Sequence, residues 1–144
     1  MTLDELLNHD EIHVVLGESM IGARIDVQMP NVHILRDYPN AQYFNGFDAV
    51  IQAGGYNSFH ETRAFGLPAL FYPNLETGMD DQLARCLLAE EEGWGYVVEK
   101  RTQQNIGVGV GKLLQHGVAE RHPMKENGAE TLSIHLLAKL EVEQ

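Results

Sequence analysis

The chain of 144 residues has little cysteine, little positive charge and no long apolar run. A single cysteine, Cys86, excludes an internal disulfide and suits a reducing compartment such as the cytoplasm. Ten Lys and Arg stand against 21 Asp and Glu, a net charge of −11, and no basic patch with interleaved aromatics offsets it. Such a balance repels phosphate backbones and anionic headgroups, so nucleic acid and membrane surfaces are excluded as electrostatic partners. No apolar run approaches the roughly 20 residues of a membrane-spanning helix, and the opening residues carry no secretory-signal pattern. The expectation is a soluble, cytoplasmic chain.

Other absences narrow the chemistry. There is no P-loop and no G-x-G-x-x-G, which removes the usual support for nucleoside triphosphatase and dinucleotide-binding readings. The seven histidines are scattered. His60-Glu61 with His33 lacks any metal-site spacing, so packing or solvent-facing histidines are expected and no metal is assigned. A Ser58–His60 nucleophilic pair lacks both the G-x-S-x-G elbow and a placed acid. Cys86, on the apolar face of a helix, reads as core, and Glu90-Glu91-Glu92 as a solvated surface.

What is present suits one domain with a substantial core, at 44% hydrophobic residues. The chain is organised around Phe47–Pro73. Phe47–Gln52 is an apolar run of strand length, broken by Ala53-Gly54-Gly55 where the backbone turns tightly or something approaches closely. Asn57-Ser58 are helix-start residues, and Ser58-x-x-Glu61 has the spacing of a capping box. Gly66 and Pro68 end that helix, and Ala69–Tyr72 is the next apolar run. This is a βαβ unit whose helix N-terminus faces out of the carboxyl end of a strand, a place that favours an anion such as phosphate.

The remaining elements follow the same alternation. Thr2–Asn8 is a short helix with Thr2 as its cap, and Ile12–Leu16 and Val32–Leu35 are strands. Arg36-Asp37-Tyr38-Pro39 is extended or turning because of the proline, and a short helix follows at Asn40–Asn45. After a polar loop at Asn74–Asp80, Asp80 or Asp81 caps a helix to about Glu92, ended by Gly93. Gly95–Glu99 is the last strand. Ile106–His116 has helical spacing against the cost of Gly107, Gly109 and Gly111, each about 1 kcal/mol relative to alanine. Ala129, Leu132, Ser133, Leu136, Leu137 and Leu140 form the stripe of a C-terminal amphipathic helix.

Apolar strands alternating with helices imply an α/β, Rossmann-like three-layer αβα sandwich on a parallel sheet. Ligands in such sheets bind beyond the carboxyl ends of the strands. That puts Gly17-Glu18-Ser19, Arg36–Tyr38, Gly54–Ser58 and Asn74–Gln82 along one edge. At Gly54-Gly55-Tyr56-Asn57-Ser58, backbone N–H groups can hold a phosphate and Glu61 can accept hydrogen bonds from ribose hydroxyls. An ordinary glycine turn with a capping box accounts for the same residues equally well. Met79-Asp80-Asp81-Gln82 can read sugar hydroxyls, although plain helix capping is the more common use of such residues.

Taken in order, these motifs resemble the C-terminal, donor-binding domain of GT-B glycosyltransferases that use nucleotide-diphosphate sugars. Nearest in pattern are the UDP-sugar transferases and the lipid-linked peptidoglycan N-acetylglucosaminyltransferase. The shared features are Asp48-Ala49-Val50-Ile51, Gly54-Gly55-Tyr56-Asn57-Ser58, Glu61, Gly66-Leu67-Pro68, Phe71-Tyr72-Pro73 and Asp81-Gln82, continued by Gly93-Trp94-Gly95. The resemblance implies that Gly54, Gly55, Tyr56, Asn57 and Ser58 bind the diphosphate and Glu61 the ribose. It further implies that Arg36, Asp37 and Tyr38 lie against the base, largely through backbone atoms, and that Asp81 and Gln82 contact the donor sugar. The donor would be a UDP-sugar, the enzyme a hexosyltransferase, and no cofactor would be needed.

The chain departs from that pattern in places. Ala53 stands where plant-type UDP-sugar transferases carry a histidine, and Tyr56 where they carry a tryptophan. Asp37 and Asn40 replace their base-stacking tryptophan and ribose-contacting glutamine. GT-B donor domains open with a strand and a glycine loop, whereas this chain starts at a helix. Their N-terminal domain holds the acceptor and supplies the catalytic base. The expectation is therefore a C-terminal fragment, or a subunit completed by another chain, with no catalytic base of its own. An apolar edge left by the missing strand would favour self-association into a homo-oligomer. Two rival readings are a non-catalytic Rossmann-like binding module and a GT-B-like sugar-nucleotide epimerase.

Overall fold

A computed structural model describes residues 1–18, 24–76, 78–116 and 132–138. Its elements run α1 (Thr2–Leu6), β1 (Val14–Gly17), β2 (Val32–Leu35), a 3-10 helix (Asn40–Gly46), β3 (Val50–Gln52), α2 (Tyr56–Phe65), β4 (Ala69–Phe71), α3 (Gln82–Glu91), β5 (Gly95–Val97) and α4 (Gln103–His116). Residues 132–138 are helical as well, while Ala129 and Leu140 of the expected C-terminal stripe lie outside the described residues.

All strand pairs are parallel. Among the described residues they fall into two hydrogen-bonded sets, β1–β2 and β3–β4–β5, rather than one continuous sheet. The central strand β4 explains the layering. Ala69, Leu70 and Phe71 are all completely buried, and their alternating side chains serve two separate cores. On one face Leu70 packs with Leu6 of α1 and with Ile106, Val110 and Leu113 of α4, and Val14 and Ile51 join from β1 and β3. On the other, Ala69 and Phe71 pack with Phe59 of α2 and with Cys86 and Ala89 of α3. Helices therefore cover both faces of the three-stranded sheet, giving the αβα sandwich expected from the sequence. Each fully buried Leu or Phe side chain contributes about 1.5–3 kcal/mol relative to exposure.

Glycine governs how the layers close. Gly66 ends α2 in the left-handed conformation (φ 66°), and its N–H bonds to the Arg63 carbonyl at 3.0 Å. The glycines of α4, which argue against a helix on propensity, have a packing reason. A Cβ at Gly109 would lie 2.8 Å from Val98 Cγ2 and 2.9 Å from Leu70 Cδ1, so α4 presses on the sheet where only hydrogen fits. One expected helix start shifts here. Met1, not Thr2, is the N-cap of α1, and Thr2 Oγ1 instead hydrogen-bonds Tyr72 Oη at 3.1 Å.

Candidate functional site

The glycine turn follows the carboxyl end of β3. Gly54 adopts φ +85°, and a Cβ there would sit 2.3 Å from Cys86 Sγ, so both conformation and space demand glycine. Cys86 is buried and its thiol is pushed up to about 11, chiefly by desolvation, which makes it a packing group rather than a nucleophile.

Gly55, extended at φ −58° and ψ 150°, is the N-cap of α2. The expected capping box of Ser58 and Glu61 does not form. Once Gly54 has turned the chain, the helix begins at Tyr56. Ser58 then already has helical geometry inside the first turn, where its hydroxyl cannot act as a cap. Among the described residues no side chain caps this helix, which leaves the first-turn N–H groups of Tyr56, Asn57 and Ser58 open at the positive end of the helix dipole. The side chains of Tyr56, Asn57, Ser58 and Glu61 are all exposed.

The start of α3 meets this turn. Asp81 caps α3 through a 3.0 Å hydrogen bond from the Ala84 N–H, so the plain capping role holds for one of its oxygens. Gln82 Oε1 accepts a hydrogen bond from the Asn74 N–H at 3.0 Å, which pins the loop after β4, and the Gln82 side chain also hydrogen-bonds the Asp80 carboxylate. Arg85, one turn into α3, reaches across to the glycine turn. Its Nη1 donates to the Gly54 carbonyl at 2.9 Å, its Nη2 pairs with Asp80, and its guanidinium carbon lies 5.4 Å from the Tyr56 ring centroid. The hydrogen bond from Arg85 holds the Asp80 carboxyl below its ordinary range and raises Arg85 in turn. Arg85 was not nominated as a ligand contact from the sequence, and Asp80 only within the Met79-Asp80-Asp81-Gln82 pattern. Asp80 and Arg85 meet locally where α3 begins, while the reach of Arg85 to Gly54 exists only because α3 folds against the turn.

The segment nominated for the base follows β2. Arg36 Nε donates to Glu18 Oε2 at 2.9 Å and its Nη2 to the Ile25 carbonyl at 3.3 Å. Glu18, just past β1, is buried and also accepts hydrogen bonds from the Ile25 N–H at 2.6 Å and from Arg24. These donors, the Ile25 N–H first and the two arginines after it, bring the Glu18 carboxyl down to about 2. Ser19, beside it, lies outside the described residues. Asp37 accepts from the Tyr38 N–H at 2.9 Å and from the Tyr43 hydroxyl, which raises the pKa of Tyr43. The side chains of Arg36 and Asp37 are thus committed locally, while the Tyr38 ring, ahead of a cis bond to Pro39, is 62% exposed. The 3-10 helix links this segment to α2 through an edge-on contact of Phe44 with Phe65 at 5.6 Å.

Among the described residues, no group of three or more His, Cys, Asp or Glu is placed to hold a metal ion, and no helix is long and apolar enough to cross a membrane. A cleft of about 480 Å³ lies beside β5 and α4, lined by residues such as Glu90, Tyr96, Lys100 and Lys112 and by none of the nominated ones.

No family model matches the chain. Over 97 residues, 65% of this chain, it is 30% identical to an uncharacterized glycosyltransferase of Methanosarcina acetivorans, covering 24% of that protein. Spinosyn Forosaminyltransferase SpnP has a similar structure, with a TM-score of 0.62 over 81% of this chain and 29% of that one, at 18% identity. In sequence the chain is similar to part of a glycosyltransferase. Its fold is of the GT-B kind, and the resemblance read from the sequence holds. The chain spans about a quarter of the length of the curated relative it matches.

Proposed function

We propose that the chain is the donor-binding half of a glycosyltransferase, with a UDP-sugar as donor and a hexosyl group as the unit transferred. One observation carries this reading: the N-termini of α2 and α3 converge on Gly54 beyond the carboxyl ends of β3 and β4. The diphosphate would take the open N–H groups of Tyr56, Asn57 and Ser58, with Gly54 and Gly55 allowing its close approach. Glu61, exposed one turn further on, would accept from the ribose hydroxyls. Asp81 keeps one carboxylate oxygen beyond its cap bond for the sugar, and Gln82 would turn its amide from Asp80 to meet a sugar hydroxyl. The backbone of Arg36–Tyr38 would receive the base.

As the bond from sugar to diphosphate breaks, its electron pair moves onto the diphosphate oxygen. Fixed N–H dipoles stabilise that charge without a metal and without reorganising at the moment of reaction. The acceptor hydroxyl and the base that takes its proton belong to a further domain or partner subunit. This chain therefore binds the donor and does not turn it over alone.

Calorimetric titration of the purified chain with UDP, dTDP, GDP and NAD tests this proposal. UDP should bind, with NAD silent, and Glu61→Ala should abolish most of the UDP affinity while leaving the melting temperature unchanged, because Glu61 caps nothing. Silence from every nucleoside diphosphate would overturn the reading.

A further inference from the structure

Two histidines that play no part in the donor site meet on the strand pair β1–β2. His13 stands one residue before β1, and His33 is the second residue of β2. Ile12 and Val14 turn into the core, so the alternation of an extended chain sends His13 and Val15 to the opposite, exposed face. Val15 is the register partner of His33, which puts both imidazoles on that face as diagonal neighbours. His13 Nδ1 and His33 Nε2 lie 3.0 Å apart, with ring planes inclined at 15° and centroids 5.4 Å apart. Centroids so much further apart than the nitrogens mean that the rings meet edge to edge, one N–H donating to the other's lone pair. Twenty positions separate the two in sequence, so no metal-site spacing announces them.

We infer that His13 and His33 form a two-imidazole site for a divalent transition-metal ion such as Zn²⁺, Ni²⁺ or Cu²⁺. Neutral imidazole nitrogens are ligands that these ions favour. Two of them, each about 2.0–2.1 Å from a zinc ion in adjacent positions, are about 3 Å apart, the separation already present here. Both side chains are exposed, so a small rotation of each ring is free to aim the two lone pairs at a common point. The ring that donates passes its proton through solvent to its other nitrogen, and the neutral pair releases no net proton. Among the described residues no group of three or more His, Cys, Asp or Glu is placed around a metal, so water fills the remaining positions and the ion exchanges with solution. The net charge of −11 draws cations towards the chain. The site lies at the amino ends of the strands, away from the donor site, and stands whether or not UDP binds.

Zn²⁺ alone is titrated into the full chain at neutral pH by calorimetry, with NMR signals of the imidazole nitrogens followed in parallel. One equivalent should bind, with the largest shifts at the rings of His13 and His33. His13→Gln and His33→Gln should each weaken binding about 100-fold, since the sheet holds the second ligand at high effective concentration. Saturating Zn²⁺ should raise the melting temperature of the wild type and not of the variants, as a ligand of the folded state does. Both substitutions replace exposed side chains, so without metal the variants should melt with the wild type, and the ring shifts of the unaltered chain give a second readout. Full affinity in either variant, shifts at other histidines only, or no binding at millimolar Zn²⁺ would overturn the inference.

Discussion

Glu18 is a residue through which acid should destabilise this protein. Its carboxyl is held at about 2 against an ordinary 4.5, so the stability it contributes is complete above about pH 4.5 and is lost as the pH falls towards 2. Glu18→Gln should therefore destabilise the chain at neutral pH, and the gap between variant and wild type should close across that window. Urea-unfolding midpoints at a series of pH values would read it; a gap that stays constant down to pH 2 would refute it. The sequence placed Glu18 on the ligand-binding edge but gave no sign of its burial, because its partners, Arg24, Ile25 and Arg36, come from separate stretches of chain. Arg85 was hidden for the same reason. Gly54 was legible, since a glycine between an apolar strand and a helix announces a tight turn before any contact is known.

At the scale of elements, α4 shows how one residue type answers to two different rules. Gly111 has nothing within 4 Å of a built Cβ, whereas Gly109 faces Val98 and Leu70 at under 3 Å. Gly111→Ala should stabilise the chain by up to about 1 kcal/mol through helix propensity. Gly109→Ala gains the same propensity but overpacks the core, at a cost of about 1–3 kcal/mol, and should destabilise. Thermal melts of the two variants should move in opposite directions; movement in the same direction would mean that α4 does not press on the sheet as described. Periodicity at Ile106, Val110, Leu113 and Leu114 was enough to find this helix against its glycines, although only the first three are buried and Leu114 is exposed. It failed at the start of α2, where Ser58-x-x-Glu61 has the spacing of a cap but Gly55 occupies the cap position. Spacing alone cannot register where a positive-φ glycine starts the helix.

For the whole molecule, parallel strands with helices on both faces leave the carboxyl ends of the strands as the place where separate segments meet. The αβα layering was legible because the strand runs are continuously apolar, as burial on two faces requires. The division into two strand sets was not, since β1 and β2 satisfy the same pattern whether or not they bond to β3. The glycosyltransferase-like fold and the convergence of α2 and α3 on Gly54 together motivate a nucleotide-diphosphate-sugar site there. The cleft beside β5 and α4 offers a different location for a ligand. Amide chemical shifts of the ¹⁵N-labelled chain, followed while UDP is added, distinguish the two most directly. The account predicts the largest, saturating shifts at Gly54–Ser58 and at Asp81–Gln82. Shifts confined to Glu90, Tyr96, Lys100 and Lys112, or no shifts at all, would contradict it.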